Sequence, residues 1–134
     1  MSSYSAPIRD MQFVLRELAD LDAVAALPGC EDASSDLVDA ILEEANKFAS
    51  GVIAPLNWIG DQEGATWDNG EVRTATGWKE AYTQFAEAGW TALACEPEFG
   101  GQGLPKLVST AVMEMWKSAN MAFSLCPMLT NGAI

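Results

Sequence analysis

The chemistry open to this chain is limited by one absence: its 134 residues include no histidine. Ser-His and Cys-His nucleophilic pairs and histidine general bases are therefore excluded within it. The three cysteines, Cys30, Cys95 and Cys126, are odd in number and far apart. That pattern favours reduced thiols over a disulfide framework and predicts no metal site. Acid–base chemistry in this chain would have to use carboxylates.

The candidate carboxylates do not form an acid–base pair. Asp61 and Glu63 are near neighbours in a polar segment that offers nothing to shift their pKa values, so we interpret both as solvated. Glu96 and Glu98 flank Pro97 and are expected to be surface or helix-capping groups. The residues alone therefore predict no catalytic group.

A glycine-rich stretch, Gly100-Gly-Gln-Gly103, precedes a predicted helix. Free backbone N–H groups in such a loop can hold phosphate. The dinucleotide fingerprint, however, needs a preceding strand and a different glycine spacing, and the Walker A loop needs Gly-Lys-Ser/Thr. We therefore favour a tight turn that uses glycine for positive φ, with a phosphate cradle as the alternative.

Charge excludes two classes of partner. Nineteen acidic and seven scattered basic residues give a formal net charge of −12, which argues against nucleic acid and against an anionic membrane surface. No apolar stretch of about 20 residues predicts a membrane span. The N-terminus shows no basic-plus-apolar leader, so we expect no signal peptide and a cytoplasmic protein.

Hydrophobic periodicity predicts an all-α bundle of about five helices and no convincing strand. The helices are expected over residues 8–21, 34–54, 76–89 and 105–119, and from Met121 to the end. The second helix should stop near Ala54, because the residue before Pro55 resists helical dihedrals. Residues 57–76 are interpreted as a long connection with a turn, or at most a two-rung hairpin, at Asn69-Gly70.

The C-terminal third is almost uncharged. From Gly100 onward the charged residues are Lys106, Glu114 and Lys117, and the last helix has none. A helix that is apolar all round is normally buried in a larger assembly. We therefore expect a domain cut inside a helix that should expose apolar surface or self-associate.

Two motifs resemble one family. Residues 89–103 resemble the signature loop of the acyl-CoA dehydrogenase N-terminal domain; the matching positions are Gly89, Trp90, Pro97, Glu98, Phe99, Gly100, Gly101 and Gly103. Tyr4-Ser-Ala-Pro-Ile-Arg-Asp-Met11 looks like the N-terminal extension of a bacterial subgroup. The resemblance divides the chain into an extension helix, residues 1–33, and the helical domain, residues 34–134. The flavin-binding β domain and the C-terminal helical domain would be absent.

The resemblance implies an FAD-dependent oxidoreductase that removes two hydrogens across the α–β bond of an acyl-CoA. In that family a carboxylate base takes the α proton and FAD takes the β hydride, and the base and most FAD contacts lie in later domains. No catalytic, cofactor-binding or metal residue is therefore carried onto this chain, which alone should be inactive. The implied partners are acyl-CoA, electron-transfer flavoprotein and further copies of the protein.

The last helix carries the predicted substrate site. By resemblance it lines the acyl pocket. Phe123, Pro127 and Asn131 share a face at a spacing of four, with Ser124 and Met128 at its margin. Ordinary bundle core is the alternative. Relatives often have polar residues at the first two positions; Phe123 and Pro127 depart from that, which leaves the chain-length preference open. The N-terminal extension fits both the long-chain acyl-CoA and the methylthio-propionoyl-CoA subgroups, so the subgroup stays open as well.

Two other functions stay open. One is a relative of the family that has lost dehydrogenation, of the alkylation-response type. The other is a stand-alone helical interaction domain. A longer reading frame that lacks the catalytic base would favour the first.

Overall fold

The structure, a computed structural model, describes residues 4–133; the side chains of Asn131 and Ala133 lie outside that part. Its N-terminal segment contains two short helices, α1 (Ile8–Phe13) and α2 (Leu21–Ala25). A π-helical turn, Val14–Leu18, extends α1.

The single helix predicted over residues 8–21 is interrupted at Asp20. This residue adopts a left-handed φ of 51°, and its carboxylate accepts the Ala23 N–H at 3.2 Å, which caps α2. Met11, Leu15 and Leu21 are all buried in the main core. The segment thus packs with the rest of the chain, while its division from the domain at residue 34 remains a prediction.

Helix α3 (Ser35–Phe48) begins where the sequence predicts. Ser34 is its N-cap, and its hydroxyl accepts the Leu37 N–H at 3.3 Å. Polar contacts that hold the N-terminal segment against α3 include the hydrogen bond from the Ala6 N–H to Asn46 Oδ1, at 2.8 Å, and the ion pair of Arg16 with Asp39.

The predicted stop before Pro55 is wrong. A π-helical turn, Ala49–Ile53, joins α3 to α4 (Ala54–Glu63), so residues 35–63 form one continuous rod. The Ala54 N–H donates to the Ala49 carbonyl, five residues back. Pro55 then occupies the second position of α4, where a missing N–H is tolerated. Residues 57–63, predicted as a connection, are therefore helical.

A small hairpin follows α4. Strands β1 (Thr66–Asp68) and β2 (Glu71–Arg73) pair antiparallel in three rungs, one more than predicted, with Trp67 opposite Val72. Asn69 and Gly70 make the turn at φ values of 48° and 88°, as the Asn-Gly pair predicts. Both strands are exposed along their length.

Glu63, the last residue of α4, makes a hydrogen bond across the connection that contains this hairpin. Its carboxylate accepts the backbone N–H of Thr76 at 2.7 Å. That hydrogen bond lowers the pKa of Glu63 below its ordinary value, because it favours the charged form. The expectation that nothing would shift the pKa of this carboxyl was wrong.

The C-terminal half matches the predicted helices within two residues. It contains α5 (Trp78–Glu87), α6 (Lys106–Ala119) and α7 (Met121–Ala133), with short 3-10 turns at Trp90–Ala92 and Pro97–Phe99. The fold is therefore the predicted all-α bundle with one added hairpin. Among the described residues, no helix combines the length and apolar character needed to cross a bilayer.

An aromatic cluster centred on Phe85 joins the helices. The ring centroid of Phe85 lies 6.1 Å from Phe48 of α3, 5.6 Å from Trp116 of α6 and 5.7 Å from Phe123 of α7. Phe85 is 1% exposed and belongs to the core, whereas Tyr82 on the same helix is 41% exposed.

Gly60 on α4 makes room for the Trp78 indole. An added Cβ would lie 2.6 Å from Trp78 Cζ2, so we expect Gly60→Ala to lower the free energy of unfolding by about 1–3 kcal/mol. Gly51 is the control, since a Cβ there meets nothing within 4 Å. Gly51→Ala should be neutral or stabilise by up to about 1 kcal/mol. Urea unfolding compares the two variants, and an equal loss in both would contradict this packing.

Candidate functional site

The glycine-rich loop is a structural turn. The four N–H groups of residues 100–103 all donate to backbone carbonyls within 3.1 Å; the acceptors are, in order, Pro97, Glu96, Ala92 and Cys95. A phosphate would have to displace these bonds. The tight-turn interpretation is therefore confirmed, and the loop ties the start of α6 back to residues 92–97.

Two glycines of this loop are required for different reasons. Gly100 has a φ of 82°, a region that glycine adopts without strain. At Gly101 the constraint is space, because an added Cβ would lie 2.0 Å from the Cys95 carbonyl oxygen. The close approach of residues 95 and 101 sets the shape of the loop.

A cavity of about 640 Å³ lies between this loop and helices α6 and α7. Aromatic rings form much of its lining: Phe85, Trp90, Phe99 and Trp116. Trp90 and Trp116 meet edge to face, with ring centroids 5.3 Å apart. The residues Met113, Met128, Cys95, Glu96, Lys106 and Lys117 also line it. The cavity suits an apolar or polarisable chain.

Three of the five predicted site residues line this cavity. Ser124, Pro127 and Met128 of α7 do so, and Ser124 and Pro127 are buried. They follow one another at i, i+3 and i+4, so a single side of α7 presents them. Pro127 lies inside the helix, where it has no N–H to donate to the carbonyl of Phe123.

The other two predicted residues are placed differently. Phe123 is 3% exposed and packs against Trp78, Tyr82 and Phe85 of α5, one turn before Pro127 and outside the cavity lining. The side chain of Asn131 lies outside the described part of the chain. Phe123 thus contacts Phe85, which lines the cavity, without lining the cavity itself, and the pocket roles of Phe123 and Asn131 remain predictions.

The two serine hydroxyls in the cavity are already engaged. Ser124 Oγ donates to the Met121 carbonyl at 2.8 Å, and Ser109 Oγ donates to the Lys106 carbonyl at 3.0 Å. A serine nucleophile needs an adjacent base, and these bonds point to the backbone instead. Neither serine is therefore arranged as a nucleophile. In the described part of the chain no three side chains of the metal-ligating types come together.

Sequence reasoning missed most of the cavity's aromatic lining. Trp116 lies one turn after Met113 on α6, and Trp90 directly follows Gly89. The helical spacing of Met113 and Trp116 was a usable signal, because i and i+3 share a face. The packing of α6 against residues 90–99 could not be predicted from the sequence, because it depends on how the glycine-rich loop folds back.

Comparison with known proteins decides the family. Residues 35–134 match the family model described as acyl-CoA dehydrogenase, N-terminal domain. The chain belongs to this family. The match covers α3 to α7 and the whole cavity, so the resemblance carried by residues 89–103 is confirmed. Assignment to the subgroup with the Tyr4–Met11 motif stays a prediction.

Two curated relatives extend the similarity over nearly the whole chain. It is 46% identical over 132 residues to the 3-methylmercaptopropionyl-CoA dehydrogenase of Ruegeria pomeroyi, covering 98% of this chain and 22% of that protein. It is 28% identical over 124 residues to a broad-specificity linear acyl-CoA dehydrogenase of Mycobacterium tuberculosis, covering 91% of this chain and 20% of that protein. The chain thus spans about a fifth of the length of these relatives.

The close approach at Gly101 can be tested by comparing a substitution there with the same substitution at Gly100. Gly101→Ala places a Cβ on a backbone oxygen, whereas Gly100→Ala adds only left-handed strain of about 1–2 kcal/mol, because its Cβ would meet nothing within 4 Å. We expect Gly101→Ala to lower the melting temperature further than Gly100→Ala. Thermal unfolding followed by circular dichroism measures both. The reverse order would mean that the loop does not fold back on Cys95.

The core packing of Phe123 predicts a stability effect. Phe123→Ala should lower the free energy of unfolding by about 3–5 kcal/mol, because it leaves a cavity among the rings of α5. Leu129→Ala is the control on the same helix; Leu129 is 69% exposed, and its loss should change stability by less than about 0.5 kcal/mol. Denaturant unfolding distinguishes them. A Phe123→Ala protein of unchanged stability would favour the predicted pocket role instead.

Proposed function

We propose that the full reading frame containing this chain encodes an FAD-dependent acyl-CoA dehydrogenase, and that this domain forms one wall of its acyl pocket. The observation that supports the proposal is the cavity between α6 and α7, lined by Ser124, Pro127 and Met128 in a member of this family. The activity is oxidation of the α–β bond of an acyl-CoA thioester.

The glycine-rich loop, residues 100–103, does not fit the diphosphate of the cofactor. That diphosphate would need free N–H donors, and those of residues 100–103 are all paired with carbonyls. We therefore assign the FAD contacts and the catalytic base to sequence beyond this domain. The domain's own contribution is to hold the acyl chain and exclude water from it.

For the acyl group we propose a short chain that carries a thioether. Aromatic rings and methionine sulfurs together make favourable contacts with a polarisable sulfur atom, and the cavity contains both kinds of group. The 46% identity to a 3-methylmercaptopropionyl-CoA dehydrogenase, against 28% to a broad-specificity linear one, supports the same choice. Electron-transfer flavoprotein as acceptor, a homo-oligomeric state and a cytoplasmic location belong to this proposal.

Met128 provides the test. In the full-length protein, Met128→Ala should lower kcat/KM for 3-methylmercaptopropionyl-CoA by about 10-fold, and it should lower it less for longer linear acyl-CoAs, because the enlarged cavity loses contacts only with a short chain. Leu129→Ala, the next residue on the exposed side of α7, should change neither value by more than about twofold. Steady-state assays with a dye or flavoprotein acceptor measure kcat/KM for acyl-CoAs of increasing chain length.

The outcomes separate the alternatives. If Met128→Ala, like Leu129→Ala, shows the same dependence of kcat/KM on acyl chain length as the parent protein, the cavity is not the acyl pocket. If the parent oxidises no acyl-CoA at all, the non-dehydrogenating branch of the family is favoured.

A further inference from the structure

Asn120 is the single residue between α6 and α7. It is 1% exposed, and its extended backbone, with φ −161° and ψ 97°, reverses the chain between the two helices. A buried asparagine side chain has a donor and an acceptor that both need partners. The hydrogen-bond partners of this donor and this acceptor show which elements Asn120 joins.

The backbone of Asn120 ends one helix and starts the next. Its N–H donates to the Trp116 carbonyl at 2.9 Å, and its carbonyl accepts the Ser124 N–H at 3.1 Å. Its side-chain Oδ1 accepts the Phe123 N–H at 3.1 Å, which caps α7. The start of α7 is thus anchored to α6 through one residue.

The remaining donor reaches a third element. Asn120 Nδ2 donates to the carbonyl of Ile53 at 3.4 Å, across 67 positions in sequence, in a buried setting. Ile53 is fully buried and is the last residue of the π-helical turn that leads into α4. Serine at position 120 could still cap α7 but is too short to reach Ile53, and alanine could do neither.

Asn120 stands at the start of the helix that forms one wall of the cavity. Helix α7 packs mainly on α6 and at fewer points on α4. Met128 lies eight residues after Asn120, about 12 Å along the helix. A tilt of about 10° at Asn120 would therefore move that wall by about 2 Å, and misplacement by about 1 Å can already cost a large rate factor.

We propose that Asn120 is a positioning residue for the acyl pocket: by joining α6, α7 and the start of α4, it sets where Ser124, Pro127 and Met128 stand across the cavity. The pocket role rests on the proposed function. The positioning of α7 rests on the hydrogen bonds alone. Asn120 acts through the helix and does not itself line the cavity.

Asn120→Ser, in the full-length protein, is the main variant, because it keeps the cap and removes the link to Ile53. Val38→Ala is the matched control: Val38 is a buried residue of α3 that does not line the cavity. Hydrogen exchange read by mass spectrometry should show α7 amides exchanging about 10-fold faster in Asn120→Ser, with α3 unchanged. The ratio of kcat/KM between short and long acyl-CoAs should shift at least about threefold in Asn120→Ser and stay constant in Val38→Ala.

The same exchange and the same substrate ratio in both variants would overturn the proposal, because both would then only lower global stability. If Asn120→Ser does not fold, Asn120→Thr serves instead, since its hydroxyl also keeps the cap without reaching Ile53 and its branched side chain suits the extended backbone. If the parent oxidises no acyl-CoA, the proposed function fails. The exchange pattern alone then decides the positioning: faster exchange confined to α7 upholds it, and uniform acceleration overturns it.

Discussion

The packing of Phe85 is the interaction on which the rest of the domain depends. Its ring meets Trp116 and Phe123 edge to face, at interplanar angles of 76° and 79°, and so holds α6 and α7 against α5. Such contacts are favourable beyond the area they bury. Phe85 and Trp116 also line the cavity, so core and binding surface share the same rings. A change in the core would therefore be felt at the site.

The helices were largely predictable because local rules and tertiary packing agree there. Ser34 caps α3, and α5, α6 and α7 begin and end close to where periodicity places them. The rod through Pro55 was not predictable, because a π-helical turn depends on buried neighbours such as Ile53 rather than on the residue before a proline. The sequence predicted at most two of the hairpin's three rungs, because all residues of its two strands are polar or exposed.

The site was half predictable, for a physical reason. Family resemblance located α7, and helical spacing grouped its residues, but spacing does not say which neighbour a face meets. Phe123 and Pro127 differ by only about 40° around the helix, yet they lie one turn apart along it. The first meets α5 and the second the cavity. The role of Asn120 had no local signal, since its partner Ile53 is 67 positions away.

What this domain can contribute to an enzyme follows from how its polar groups are used. In the described part of the cavity the serine hydroxyls donate to their own helices, and the carboxylate of Glu96 belongs to an exposed residue. These bonds do not activate the two serines as nucleophiles. What the described cavity offers is a largely apolar surface. Under the proposed function its shape acts on which acyl chain fits, and that shape depends on how firmly Asn120 and the Phe85 cluster hold α7.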